Sequence, residues 1–191
     1  MHLYHGSSIG KIEKLSINSA SHNEKKEKVV YLTSNYAYSL FYIWDSIKNH
    51  RSKKHITAYI KNGIVFYEEQ FPNQFYEFYN NVEGYVYYVE KSDTFIKGDE
   101  ESFFISNNDF NVIKHDYINN VYKKILEYVE RGSVKILYFN EQSEEQQNHL
   151  IEMTVHTILK KSLIGSNTED ELFFKKYFVK AYSRAAERYN D

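Results

Sequence analysis

Apolar and polar positions along the chain change their period once. Through roughly the first 110 residues the apolar positions come in short runs rich in β-branched and aromatic side chains, as strands do. From Asp116 onward they recur every three or four positions, as on one face of a helix.

In the first part, His2 to His5 predicts a short strand and Lys11 to Leu15 a helical turn, followed by a polar surface loop from Ser16 to Lys28. Val29 to Thr33 predicts a buried strand. Ser34 is then placed to cap a helix carrying Ala37, Leu40, Phe41, Trp44 and Ile47 on one side. Ile56 to Ile60 and Ile64 to Tyr67 flank Lys61-Asn62-Gly63, and Asn-Gly between two β-rich runs predicts a hairpin. A short helix over Gln74 to Asn80 and strands over Gly84 to Glu90 and Ser102 to Ser106 follow.

In the second part, Ile118, Val121, Tyr122, Ile125 and Val129 form one stripe that Gly132 is placed to end. One late strand is predicted over Val134 to Phe139. Two further helices open at Ser143 and Thr168, each with Gln or Glu three residues on in the manner of a capping box. The last of them puts Phe174, Tyr177, Phe178, Ala181, Tyr182 and Ala185 on one apolar face. The pattern therefore predicts an α+β protein with a β-rich region over 1–110 and a helical region over 111–191 packed on it, most simply as one compact unit.

Composition narrows the function classes. The 191 residues carry a formal net charge of −2 and no cysteine. Disulfides, thiolate zinc sites and cysteine nucleophiles are thereby excluded. The near-neutral balance supplies no global field for nucleic acid or anionic membrane. No apolar run approaches the roughly 20 residues needed to span a bilayer. A soluble, cytoplasmic protein with no membrane partner is the expectation. The 19 Tyr and 13 Phe are mostly core residues, whose polar tips need partners. His50 and His55 lie in a basic stretch with Arg51, Lys53 and Lys54, and two His without a nearby carboxylate make a poor zinc set, so no metal is expected. Glu68 and Glu69 adjoin on a strand, point to opposite faces and cannot both flank one glycosidic bond. Glu141, Glu144 and Glu145 suit an acidic first helical turn, and His149 and His156 share a helix face as packing or surface residues.

Two segments carry candidate chemistry. Leu3-Tyr4-His5-Gly6-Ser7 combines an imidazole, a glycine that lets another group approach the backbone, and a hydroxyl. Val30-Tyr31-Leu32-Thr33-Ser34 runs on to Ser39 and Tyr42, eight and eleven positions after Tyr31. Together they resemble the first two motifs of the His-Tyr-Glu branch of ADP-ribosyltransferases, which includes the poly-ADP-ribose polymerases and diphtheria-type toxins. The resemblance implies an ADP-ribosyltransferase-like mixed sheet in the N-terminal half. It implies NAD as substrate, with His5 on the adenosine-side ribose, Gly6, Ser7 and Ser39 on the carboxamide, Tyr31 in the pocket wall and Tyr42 stacked on nicotinamide. Gly84-Tyr85-Val86-Tyr87-Tyr88-Val89-Glu90 is similar to a strand of the small rifamycin ADP-ribosyltransferases, which would make the acid Glu90, Asp93 or Asp99. The polymerase pattern selects Glu83 instead, and Glu90 is the first choice. An RNA 2′-phosphotransferase on the same fold would need several Arg for its phosphate, and the N-terminal half has one, Arg51.

Each residue also has an ordinary role open to it. His5 could be a strand-end histidine bonded to backbone, Tyr31 and Tyr42 could be core, and Glu90 a solvated carboxylate at a strand end. The resemblance thus implies transfer of ADP-ribose to an unidentified protein or small molecule, or NAD hydrolysis. The alternative is a catalytically inactive nucleotide- or protein-binding module on the same fold.

Overall fold

A computed structural model of the chain describes residues 1–17, 19–20, 28–44, 57–98 and 102–190. The chain is α+β and divides into two units: Met1–Trp44, Ala58–Tyr67 and Tyr79–Lys135 form one, and Asp45–Thr57, Glu68–Phe78 and Ile136–Asp191 the other. The principal break falls near residue 135 instead of 110, because the strand and helix after 110 pair and pack with the N-terminal strands. Ile47, Ile56, the stretch with His50 and His55, and Asp99 lie outside the described residues, as does most of the predicted loop from Ser16 to Lys28.

The first unit is built on a seven-stranded sheet. Its strands are β1 (His2–Ser7), β3 (Ser19–Ala20), β4 (Lys28–Thr33), β7 (Gly84–Glu90), β8 (Ile96–Lys97), β9 (Phe103–Ser106) and β11 (Lys114–Ile118). They lie in the order β11-β7-β1-β4-β9-β8, with β3 also on β4. All of these pairings are antiparallel, which corrects the expected mixed sheet. Parallel neighbours need a crossover of a dozen or more residues, and the links from β3 to β4 and from β8 to β9 are shorter than that.

Side chains alternate along each strand, so the register assigns the faces. On one face Leu3, Val30, Leu32, Val89 and Phe104 form a core with Leu15. Leu15 belongs to β2 (Lys14–Leu15), which pairs with β10 (Phe110–Asn111) where a helical turn was expected. The opposite face meets α1 (Tyr36–Leu40), capped by Asn35 one residue later than the sequence suggested. The helix α3 (Val121–Glu130) begins after the Asn120 cap. Asp116, expected to open this helix, is instead in β11, because its strand closes the edge of β7. The predicted hairpin is present as β5 (Ala58–Lys61) and β6 (Ile64–Glu68), with Asn62 and Gly63 both at positive φ in the turn.

The second unit is mainly helical: α2 (Gln74–Tyr79, up to Phe78), α4 (Glu144–Lys160), α5 (Glu169–Tyr177) and α6 (Val179–Asn190), entered from β12 (Val134–Leu137). Its core is aromatic, with Phe71, Phe78, Phe173, Tyr177 and Phe178 in mutual ring contact. Ser143 and Thr168 cap α4 and α5 as expected. The single helix predicted after Thr168 is broken at Phe178, whose φ of −107° and ψ of 48° lie outside the helical region. Phe178 still donates its N–H to the Phe174 carbonyl, and its ring packs on Phe71.

Candidate functional site

The motif residues converge only in part. Gly6 and Gly84 mark the place where α1 and the segment that follows it touch the sheet. A Cβ on Gly6 would lie 1.9 Å from the Ser39 carbonyl oxygen and 3.1 Å from Ile43 Cγ1. A Cβ on Gly84 would lie 2.3 Å from Ile43 Cγ2 and 2.6 Å from the Ser7 carbonyl. Only glycine permits this approach at both positions. Gly6, Ser39, Ile43, Gly84 and the Ser7 carbonyl are therefore brought together at the C-terminal end of β1, while the Ser7 side chain, alternating with Gly6, belongs to the His5 face.

Ser39 is 1% exposed, and its hydroxyl donates to the Tyr36 carbonyl at 2.7 Å. Ser7 Oγ accepts from the Ile9 N–H at 3.1 Å. Tyr42 is 40% exposed; its ring stands edge-on to Tyr38, and its hydroxyl donates to the Tyr38 hydroxyl.

His5 stands elsewhere. It pairs opposite Tyr87 and belongs to the Leu3 face of the sheet. Its Nδ1–H donates to the Tyr31 carbonyl at 2.9 Å. Burial holds the imidazole below its usual value, partly offset by that hydrogen bond, so the ring is neutral at pH 7. Tyr4 pairs with Thr33, which assigns the Tyr31 side chain to the other face, where it stacks on Phe103 at 5.4 Å. The His5 ring thus reaches Tyr31 at its backbone carbonyl, and the imidazole lies across the sheet from α1 and Tyr42. One hollow shared by these three side chains, as the motif spacing implied, is not formed: strand alternation separates them.

The acid choices also separate. Glu90 is exposed and pairs opposite His2, at the far end of β1. It is five residues along β7 from Tyr85, the partner of Ser7, or roughly 16 Å at strand rise. Glu83 adjoins Gly84, and its Oε2 accepts from the Tyr117 hydroxyl at 2.5 Å. That bond is the main reason the Tyr117 phenol is held above its usual value. Of the two, Glu83 is the carboxylate at the Gly6 and Ser7 end of β1, but its partner Tyr117 pairs with Tyr85 opposite Ser7, so it stands on the His5 face of the sheet and not on the Gly6 face. Asp93 is exposed.

A further carboxylate gave no sign of itself in the motif pattern. Asp116 lies on the Gly6 face, in the row Asp116, Val86, Gly6 across three strands. It accepts from the Tyr36 hydroxyl at 3.0 Å and the Tyr88 hydroxyl at 2.5 Å. Burial and these bonds to Asp116 raise both phenols well above the usual tyrosine range. The only available sequence signal was the polar character of Lys114-His115-Asp116 beside an aromatic strand, which does not separate a strand from a helix start.

A scan against protein-family models finds no match to this chain, and neither does a search of curated proteins or of solved structures. Among the described residues no group of three or more His, Asp or Glu side chains is arranged to hold a metal ion. No described helix is long and apolar enough to cross a membrane.

Proposed function

We propose that this protein binds NAD at the C-terminal end of β1 and passes its ADP-ribose to an acceptor, a protein or a small molecule, or to water. The observation that carries this proposal is the close approach of Ser39 to Gly6, two of the three residues that the motif resemblance assigns to the carboxamide. Tyr42, which follows in the same turn and is partly exposed, offers a ring face for nicotinamide. Glu83, which holds the Tyr117 hydroxyl on the His5 face, supplies the carboxylate by turning about the start of β7. Because Ser39 rests directly on Gly6, a pyridine ring enters only as α1 moves outward, in the manner of a ligand-gated element.

The chemistry balances without a metal or redox partner. The bond between ribose C1′ and the nicotinamide nitrogen breaks, and its electron pair leaves with the neutral base. Positive charge then develops on the ribose, where a carboxylate stabilises it, as in glycosidases. The hydroxyl of the acceptor or of water closes on C1′ and gives its proton to that carboxylate.

One observation favours a second function, binding without turnover. The His5 Nδ1–H is already committed to the Tyr31 carbonyl, and its ring is on the opposite face from Tyr42, leaving no evident partner for the adenosine-side ribose beside α1. Incubation with NAD labelled in nicotinamide discriminates the two. Transfer or hydrolysis releases free nicotinamide from the parent protein, Glu83→Gln slows that release by about 100-fold, and Glu90→Gln leaves it unchanged. Saturable NAD binding with no release selects the binding module, and absence of binding rejects both.

A further inference from the structure

On the α1 side of the sheet a cleft of about 270 Å³ is bordered by Tyr36, Asp116, Asn119, Asn120 and Lys123. Two opposite charges in it join no ion pair among the described residues. Asp116 is half-buried, and its Oδ2 takes both the Tyr36 and Tyr88 hydroxyls. Its Oδ1 accepts no hydrogen bond among the described residues, and the carboxylate joins no ion pair there. The phenols fix the plane of the carboxylate without neutralising it, since a neutral O–H donor carries no net charge.

Lys123 is exposed and likewise joins no ion pair among the described residues, whereas its neighbour Lys124 is held by Glu127 at 2.7 Å. Asp116 and Lys123 therefore face the same cleft without meeting each other. A ligand that satisfies both has hydrogen-bond donors at one end and an anion at the other, with a polar stretch between to meet the Asn119 and Asn120 side.

We propose that this cleft binds a sugar phosphate, free or as the ribose phosphate of a nucleotide, with Asp116 accepting from sugar hydroxyls and Lys123 meeting the phosphate. The remaining Oδ1, with two lone pairs, accepts sugar hydroxyls, and an ammonium is a compact partner for a phosphate oxygen. An α-amino acid also carries both kinds of group, but its two charges flank a single carbon, while Asp116 and Lys123 lie beyond ion-pair distance of one another. The site stands whether or not NAD is turned over at the end of β1.

Calorimetric titration of the full chain tests it, with ribose 5-phosphate, adenosine 5′-monophosphate, ribose, inorganic phosphate and glycine as separate ligands. Ribose 5-phosphate is expected to saturate at millimolar concentration or below and to bind more tightly than ribose or phosphate alone. Whichever of ribose 5-phosphate and the mononucleotide binds more tightly identifies the free or the nucleotide form. Lys123→Ala, on an exposed helix position, should weaken the phosphate-bearing ligands by about ten-fold, one charge-assisted contact, and leave ribose unchanged. Asp116→Asn should weaken ribose and ribose 5-phosphate but not inorganic phosphate, with a thermal melt alongside to establish that it folds. The site is overturned by failure of ribose 5-phosphate to bind, by equal affinity for inorganic phosphate, by tighter binding of glycine, or by affinity that Lys123→Ala does not change.

Discussion

In the helical unit two carboxylates are buried and fully engaged by the chain around them. Glu69, 2% exposed, accepts the Phe75 N–H on one oxygen at 2.9 Å and the Phe139 N–H on the other at 3.0 Å. Glu171, 0% exposed, accepts from the N–H groups of Gly165 and Asn167, from the Tyr182 hydroxyl and from Lys175. In the sheet unit, Glu83 and Asp116 hold phenol hydroxyls instead, at the margin of open space. A carboxylate saturated by backbone donors is bound to the fold, because any ligand would have to replace hydrogen bonds that the backbone cannot make elsewhere. One that shares a single oxygen with hydroxyls keeps capacity for a ligand. Of these four carboxylates, the two with capacity for a ligand are therefore those of the sheet unit.

That contrast can be broken most forcefully at Glu69. Glu69→Ala strands two buried N–H groups, and at about 1–3 kcal/mol for each urea unfolding should report a loss of roughly 2–6 kcal/mol. A loss below 1 kcal/mol, on the order of a surface substitution, would mean that saturation by backbone is no mark of a structural carboxylate.

In the sheet unit the matching structural lesion is steric. Gly6→Ala drives a methyl to 1.9 Å from the Ser39 carbonyl, so α1 must shift, at a cost of about 1–3 kcal/mol for overpacking. If α1 is also the gate for nicotinamide, the same substitution abolishes NAD binding in a calorimetric titration. Unchanged NAD affinity with lowered stability would separate the contact from the function.

The last effect is confined to acid. The Tyr182 hydroxyl first, then Lys175 and the two backbone donors, hold the Glu171 carboxyl down at about 2, against 4.5 unperturbed. Its contribution to stability is therefore complete above pH 4.5 and lost as the pH falls from 4.5 toward 2. Glu171→Gln should flatten this limb of the stability profile measured by chemical denaturation at stepped pH. A parallel profile in the variant would show that the carboxylate is not the titrating anchor.

Much of the fold was legible along the chain, and for identifiable reasons. Asn62-Gly63 dictates its hairpin because both residues accept positive φ. Ser143 and Thr168 announce their helices because a hydroxyl at the cap satisfies an otherwise orphaned N–H. The reach of the capping-box logic was shorter at Glu171, whose N–H bonds the Thr168 hydroxyl while its side chain turns back to Gly165 and Asn167. The break at Phe178 was hidden, since Phe174, Tyr177, Phe178 and Ala181 continue one apolar stripe whether the helix bends or not.

The candidate site was legible as a list of residue types and not as an arrangement. The glycines of the motifs do mark real close contacts, at Gly6 and Gly84. Spacing could not tell which acid lies at their end of the sheet, because Glu83 and Glu90 bracket the same strand and only the register with β1 separates them. Nor could it assign His5 and Tyr31 to faces, since that depends on which residue of β4 stands opposite Tyr4.

Local chemistry, then, determined where strands, turns and helix caps form, because those depend on neighbours a few residues apart. Pairing register and packing decided which side chains share a surface: the exclusion of His5 from the α1 side, the choice of Glu83 over Glu90, and the meeting of Asp116 with Tyr36 and Tyr88. A shift of one residue in a β ladder reverses every face, and no local pattern fixes a partner that arrives from 80 residues away, as Asp116 does for Tyr36.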